Sequence, residues 1–269
     1  MSMLSNLRGK FLFILQTIVA DYIYEMEYGR VMVKRKGGLG FLKRFVRRST
    51  PEEEFLTSLD LKGKTIYDIG GYIGLLAIVF AKAAGPTGQV VIFEPNEENC
   101  LKIQEHIRLN QAHNVQLLRL GIADTKKENQ ILIVRRNSSG TGSLGKSIQT
   151  QIIREKNFKQ LQVNVDTLDG AIATYGLPKP DFIKIDIEGL EYQALLGMPK
   201  TVNSYSPQFH IEIHGVDELS KRENIRRITE LFQSWGYSLW HIETQQDITT
   251  SNCSLAKEGH IFCRRQYCF

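Results

Sequence analysis

The stretch TIYDIGGYIG, Thr65–Gly74, decides the fold. Thr65–Ile69 is an apolar run that empties into Gly70, Gly71 and Gly74, and Leu75–Ala84 then takes up a helical pattern. A strand passing through glycines into a helix is a unit of an open parallel α/β sheet, which binds ligands at the carboxyl ends of its strands. Glycine lets the backbone turn sharply and approach a ligand, and the helix N-terminus behind it favours negative charge. QVVIFEPN (Gln89–Asn96) and DFIKIDIEGLE (Asp181–Glu191) repeat the design, each an apolar strand ending in polar residues or glycine.

Glu94 ends the second strand twenty positions after Gly74, where an acidic residue accepts hydrogen bonds from ribose hydroxyls. Asp68 narrows the ligand further. The dinucleotide fingerprint G-x-G-x-x-G holds a pyrophosphate, whereas here a carboxylate stands two residues before the first glycine. A fixed anion about 4 Å from a phosphate is repelled by about 1 kcal/mol in water and about 4 at an intermediate dielectric. A cationic amino group is attracted instead, and the helix N-terminus suits a carboxylate. S-adenosyl-L-methionine has a ribose, an amine and a carboxylate but no phosphate. The plain alternative is a tight turn with no ligand.

From about Leu61 to Gly215 the chain resembles the FkbM-type methyltransferases, a family of class I S-adenosylmethionine-dependent enzymes. The resemblance is carried by Tyr67-Asp68-Ile69-Gly70 with Gly74, Phe93-Glu94-Pro95-Asn96, Val165-Asp166-Thr167-Leu168-Asp169, and Ile183-Lys184-Ile185-Asp186-Ile187-Glu188-Gly189 with Glu191. The last two blocks are the more specific. At Gly71-Tyr72 the family more often has Ala-Asn, and an aromatic there alters the pocket wall. The resemblance implies a Rossmann-like, seven-stranded, mostly parallel sheet with helices on both faces, S-adenosyl-L-methionine as cofactor, and methylation of a hydroxyl on a sugar, glycolipid or natural-product-like acceptor. The candidate cofactor contacts in these blocks are Asp68, Gly70, Gly71, Gly74, Glu94 and Pro95.

The composition fits one large domain, residues 51–269, behind a small helix/hairpin appendage, residues 1–50. Hydrophobic content of 42% and charged content of 23% are those of a globular chain with a sizeable core. The net charge of +5 is unevenly placed: residues 1–50 carry +7 and the rest −2. Phe11–Ala20 is almost wholly apolar, and a helical pattern runs on through Tyr22, Ile23 and Met26. A ten-residue stretch is too short to span a bilayer, which takes about 20. The segment reads as a cap helix on the domain, as a helix on a membrane surface aided by Lys34-Arg35-Lys36, Lys43, Arg44, Arg47 and Arg48, or as a signal-peptide core. Gly37-Gly38-Leu39-Gly40 reads as a hairpin turn. The expected location is cytoplasmic, with peripheral membrane contact through residues 1–50 left open.

Beyond Pro51 the pattern predicts an acidic helix over Glu52–Leu59, a helix over Asn96–Leu109 capped by Asn96, and strands over Val115–Leu120, Ile131–Val134 and Leu161–Val165. Gly121-Ile122-Ala123-Asp124 is positioned to touch the adenine. RNSSGTGSLGKS, Arg136–Ser147, is a flexible loop or a flap over the acceptor.

Asp181–Asp186 ends beside the expected methyl position, so Asp186 is a candidate for catalysis or acceptor binding. Glu188, a further catalytic candidate, and Glu191 open the next helix, where carboxylates also suit the positive dipole end. FHIEIHG, Phe209–Gly215, puts His210, Glu212 and His214 on one strand face. Methyl transfer from a sulfonium needs in-line positioning and removal of the hydroxyl proton. Asp186 or His214 serves as base; Asp186, Glu212 and His214 alternatively hold a divalent metal, which is not the expected arrangement; or His214 is structural. Cys100, Cys253, Cys263 and Cys268 lack zinc spacing and read as free thiols. Nucleic acid is not the expected partner, because motifs for methylating base amines or cytosine C5 are absent, although ribose methylation survives that test. Aminopropyl transfer and cofactor binding without turnover remain alternatives.

Overall fold

The computed structural model describes residues 21–26, 29–34, 50–135 and 138–265. β1 (Asp21–Met26) and β2 (Gly29–Lys34) form an antiparallel pair. Tyr22, Ile23 and Met26 therefore belong to a strand and do not extend a helix: the alternation DYIYEM favours period two over 3.6. Phe11–Ala20, the Gly37–Gly40 turn and the basic residues from Arg35 to Arg48 lie outside the described residues. α1 (Pro51–Ser58) starts at a capping box in which Thr50 and Glu53 satisfy each other's backbone N–H groups.

The main domain alternates strand and helix. β3 (Thr65–Ile69), α2 (Leu75–Ala84), β4 (Gln89–Phe93), α3 (Glu97–Asn110) and β5 (Val115–Leu118) build one half of the sheet. β2 runs alongside α2 and α3. After a second small sheet come α5 (Leu168–Tyr175), β10 (Phe182–Ile185), α6 (Glu191–Leu196), α7 (Pro199–Tyr205), β11 (Gln208–Glu212), α8 (Glu218–Ser234), β12 (Tyr237–His241), β13 (Gln246–Ile248) and β14 (His260–Arg265). The order across the central sheet is β13-β12-β14-β11-β10-β3-β4-β5. β11, β10, β3, β4 and β5 are parallel, while β14 runs antiparallel between β11 and β12. The sheet thus has eight strands where seven were expected, because the short β13 adds to the β12 edge. Gly259–Arg264 pairs with Tyr237–Ile242 as its pattern predicts, within a residue.

Between β5 and α5 the chain leaves the central sheet. β6 (Gly121–Ile122), β7 (Lys127–Arg135), β8 (Ser138–Ser143) and β9 (Phe158–Asp166) form a separate sheet, ordered β6-β9-β7-β8, with α4 (Lys146–Arg154) before β9. Part of the Arg136–Ser147 stretch is thus strand β8, not an unstructured loop. Asp169 caps α7 across the chain, accepting from the Lys200 and Thr201 N–H groups at 2.9 and 2.8 Å.

Two cores sandwich the sheet. Tyr67, Ile183, Phe209 and Phe232 pack on one face beside α5 and α8; Ile66, Ile92, Phe80 and Phe182 pack on the other beneath α1 and α2. The parallel strands are covered on both faces, which is why they read as continuous apolar runs. Cys100, Cys253 and Cys263 are free and buried. Among the described residues no helix is long and apolar enough to cross a membrane.

Candidate active site

One cavity opens at the carboxyl ends of β3, β4 and β10. Gly70, Glu94, Pro95, Gly121, Ile122, Asp186 and Glu188 all line it. Leu132, Val134, Gly142 and Leu144 of the small sheet form its other wall. The Ser143 hydroxyl donates to the Glu188 carbonyl at 2.9 Å, so the β7–β8 ribbon is fastened to the loop after β10. Gly70 sits at φ +86°, and a Cβ there would lie 1.9 Å from the Asp186 carbonyl oxygen. Only glycine lets the β3 and β10 loops cross this closely.

Glu94 is held by three donors. Tyr72 N–H reaches Oε2 at 2.9 Å, Asn96 N–H reaches Oε1 at 2.9 Å, and Asn99 Nδ2 reaches Oε1 at 3.3 Å. A carboxylate offers about four lone-pair positions, so Oε2 keeps room for one further donor from the cavity. Burial pushes the Glu94 carboxyl up to about 7, with the Asn96, Asn99 and Tyr72 hydrogen bonds opposing. Asn96 also caps α3, accepting from Glu98 N–H.

Asp68 does not line the cavity. It lies buried on the α2 face of β3, where Lys184 Nζ is 3.5 Å from one oxygen and neither oxygen receives a hydrogen bond. Burial raises its pKa while Lys184 lowers it. Lys184 also donates to Asp186 at 3.1 Å and so bridges the glycine loop to the β10 tip. Sequence reasoning gave Lys184 no role beyond its place in the motif; the signal was a charge in an otherwise apolar, centrally placed strand. Gly71 lies on the far side of the loop, where a Cβ would meet Ile92 at 2.2 Å, and Gly74 caps α2 at φ +77°. Both shape the loop from outside the cavity.

Three chain segments meet at the Asp186 end of the cavity. β11 stops at Glu212, so His214 follows the strand and does not share its face as expected. It is brought back by Glu191, fully buried at the start of α6, whose Oε1 accepts from His214 Nδ1 at 3.0 Å. Asn224 holds the other oxygen at 2.9 Å. His214 Nε2 then faces Glu212, Asp186 and Glu188 at 3.5, 3.8 and 4.0 Å. Burial would lower the His214 pKa, but hydrogen bonds to Glu191 and Glu212 and the charge of Asp186 raise it to about 11. His214 is thus held protonated near neutrality, which argues against it as the resting base. Glu188 precedes α6 and does not cap it. Its backbone is left-handed at φ +54°, and burial raises its pKa against the His214 charge. Tyr72 opposite is left-handed too, at φ +50°. Strained non-glycine residues of this kind cluster at functional sites. The ligand atoms of Asp186, Glu212 and His214 lie within 4.8 Å of one another, close enough for a metal.

A strand–glycine–helix unit with an acidic residue ending the next strand, and further carboxylates lining the same cavity, is the layout of an α/β fold of the methyltransferase class. The chain belongs to the methyltransferase FkbM domain family, which it matches over residues 68–239. It is similar to a solved FkbM methyltransferase from Methylobacillus flagellatus KT, at 16% identity and TM-score 0.51, over 80% of this chain and 50% of that one. It is also 21% identical over 228 residues to the AMB antimetabolite synthetase AmbE of Pseudomonas aeruginosa, over 72% of this chain and 10% of that protein. The chain thus spans half of that structure and a tenth of that synthetase.

Proposed function

We propose that the protein transfers a methyl group from S-adenosyl-L-methionine to a hydroxyl of a sugar, glycolipid or natural-product-like acceptor. The observation that carries this reading is one cavity that Glu94, Asp186 and Glu188 all line. The residues fit the cofactor. The open position on Glu94 Oε2 suits a ribose hydroxyl, Ile122 and Pro95 offer an apolar wall for adenine, and the glycine turn gives close backbone approach. Asp68 acts from beneath that turn as a buried negative charge balanced by Lys184. When bound, the cofactor supplies an electrophilic methyl group on a sulfonium, which leaves as a neutral thioether.

The chain's own part is to position the acceptor and take its proton. With Glu94 held by its three donors, Asp186 and Glu188 are the cavity carboxylates left for the acceptor, and burial raises the Glu188 pKa, which favours it as the base. Asp186, anchored by Lys184, receives the acceptor hydroxyl as a hydrogen bond. Protonated His214 keeps the crowded carboxylates from repelling one another. This acidic end disfavours a polyanionic acceptor such as RNA, and the likeness to an antimetabolite synthetase supports a small natural-product-like one. Incubation with methyl-labelled cofactor and fractionated cell extract tests the reading: label should enter a glycan, lipid or small molecule, and label in RNA alone would overturn the acceptor class. Divalent metal is not required in this account, so activity should survive chelator. For residues 1–50 we propose peripheral attraction to an anionic membrane, motivated by their net charge of +7. Sedimentation with anionic but not neutral vesicles, reversed by salt, checks it.

A further inference from the structure

His210 is fully buried on β11, and neither of its ring nitrogens has a hydrogen-bond partner. A polar ring sealed in the core without a partner is costly unless something else engages it. Its Nε2 points to Glu52 of α1, 3.7 Å from Oε1. His260, across the sheet on β14, brings its own Nε2 to 3.4 Å from the same oxygen. The two rings stack at 5.1 Å with 25° between their planes, and the three donor atoms lie within 4.8 Å of one another. Ligands bound at about 2.0–2.1 Å around a tetrahedral ion sit about 3.3–3.4 Å apart, which the two distances to Glu52 approach.

The surroundings fit a ligand set. His260 Nδ1 donates to Glu243 at 2.6 Å, leaving Nε2 to face the cluster. A carboxylate behind a ligating histidine is the usual way such a ring is oriented. Gly259 makes room for it, since a Cβ there would lie 2.4 Å from the Glu243 carboxyl carbon. The neighbouring Lys184 is already balanced by Asp68 and Asp186.

From this geometry we infer that Glu52, His210 and His260 form a binding site for a divalent first-row transition metal, zinc best matching two imidazoles and a carboxylate. The metal clasps α1 to β11 and β14. Glu212 lies between this site and the catalytic end, with one oxygen 3.7 Å from His260 and the other 3.5 Å from His214. The site is separate from the cofactor cavity, and its test does not depend on methyl transfer.

Untagged full-length protein, stripped with chelator and dialysed, is titrated with zinc against a chromophoric competitor, and melting is followed with and without zinc. The wild type should bind about one zinc per chain tightly and melt higher when loaded. Glu52→Gln should lose tight binding, and Glu243→Gln should weaken it by about 10–100-fold. His210→Phe keeps the buried ring shape without nitrogen. It should fold, bind no zinc tightly and show no zinc-dependent rise in melting temperature. If zinc leaves the wild-type melting temperature unmoved, or if His210→Phe binds zinc as the wild type does, the inference falls. Zinc binding lost in Asp186→Asn but kept in His210→Phe would overturn it too, by placing the ion at the catalytic carboxylates.

Discussion

The two ends of the cavity are built from different materials. At the Glu94 end the work is done by backbone: two main-chain N–H groups and Asn99 hold one carboxylate, all within residues 72–99. At the Asp186 end it is done by side-chain charge, with Asp186 and Glu188 from the loop after β10, Glu191 from the start of α6, Glu212 from the end of β11 and His214 just beyond it. Backbone donors in a tight loop are fixed by local geometry and tolerate little change. A crowd of carboxylates around one imidazolium is instead a balance, in which each group's protonation depends on the others. The first arrangement suits holding an invariant ligand, the second moving a proton.

The largest expected effect tests the proton-moving end. Glu188→Gln should lower kcat by about 10²–10⁴-fold, the usual contribution of a general base, while cofactor affinity stays within a few-fold. Loss of both together would mean that the two ends are not separable. His214→Gln should reduce turnover without removing the low-pH limb of the rate profile, because that limb belongs to Glu188. Disappearance of the limb would return the base role to the histidine.

A smaller effect concerns pH and stability at the Glu94 end. The folded chain binds the Glu94 proton more tightly than the unfolded chain does, with a pKa of about 7 against 4.5. Between those values the folded state holds more protons, so this group's contribution to stability falls as pH rises, by about 3 kcal/mol across the window. Glu94→Gln should remove that slope, and denaturant titrations at pH 4.5 and 7.5 measure it. Parallel wild-type and variant profiles would contradict the assignment. Smallest is the strain at Glu188. Glu188→Gly relieves a left-handed backbone and should stabilise by about 1 kcal/mol, or about 2–4 °C in Tm, while leaving the enzyme inactive.

The same contrast explains what the sequence revealed. Gly70, Glu94, Pro95, Gly121 and Ile122 were legible because each follows a strand whose apolar run announces itself, and strand ends gather in parallel sheets. Asp186 and Glu188 were legible for the same reason. Glu191 was read as a dipole-facing carboxylate, yet it is buried and anchors His214, a pairing between residues 23 apart that no local pattern encodes. Asp68 was placed correctly on its strand, but its partner depends on the register that sets Lys184 beside it. The small sheet was underestimated because β8, a run rich in serine and glycine, has weak strand propensity. Glu52, His210 and His260 come together only when α1, β11 and β14 pack, and the sequence separates them by more than 150 positions at the extremes.

Titration calorimetry of full-length wild type and Glu94→Ala with S-adenosylmethionine is the most direct test. Hydrogen bonds to a charged group contribute about 1.5–3 kcal/mol, so the variant should bind the cofactor roughly 10- to 150-fold more weakly, with its fold intact by circular dichroism. Equal affinity in a folded Glu94→Ala protein would mean that the cofactor does not lie in this cavity.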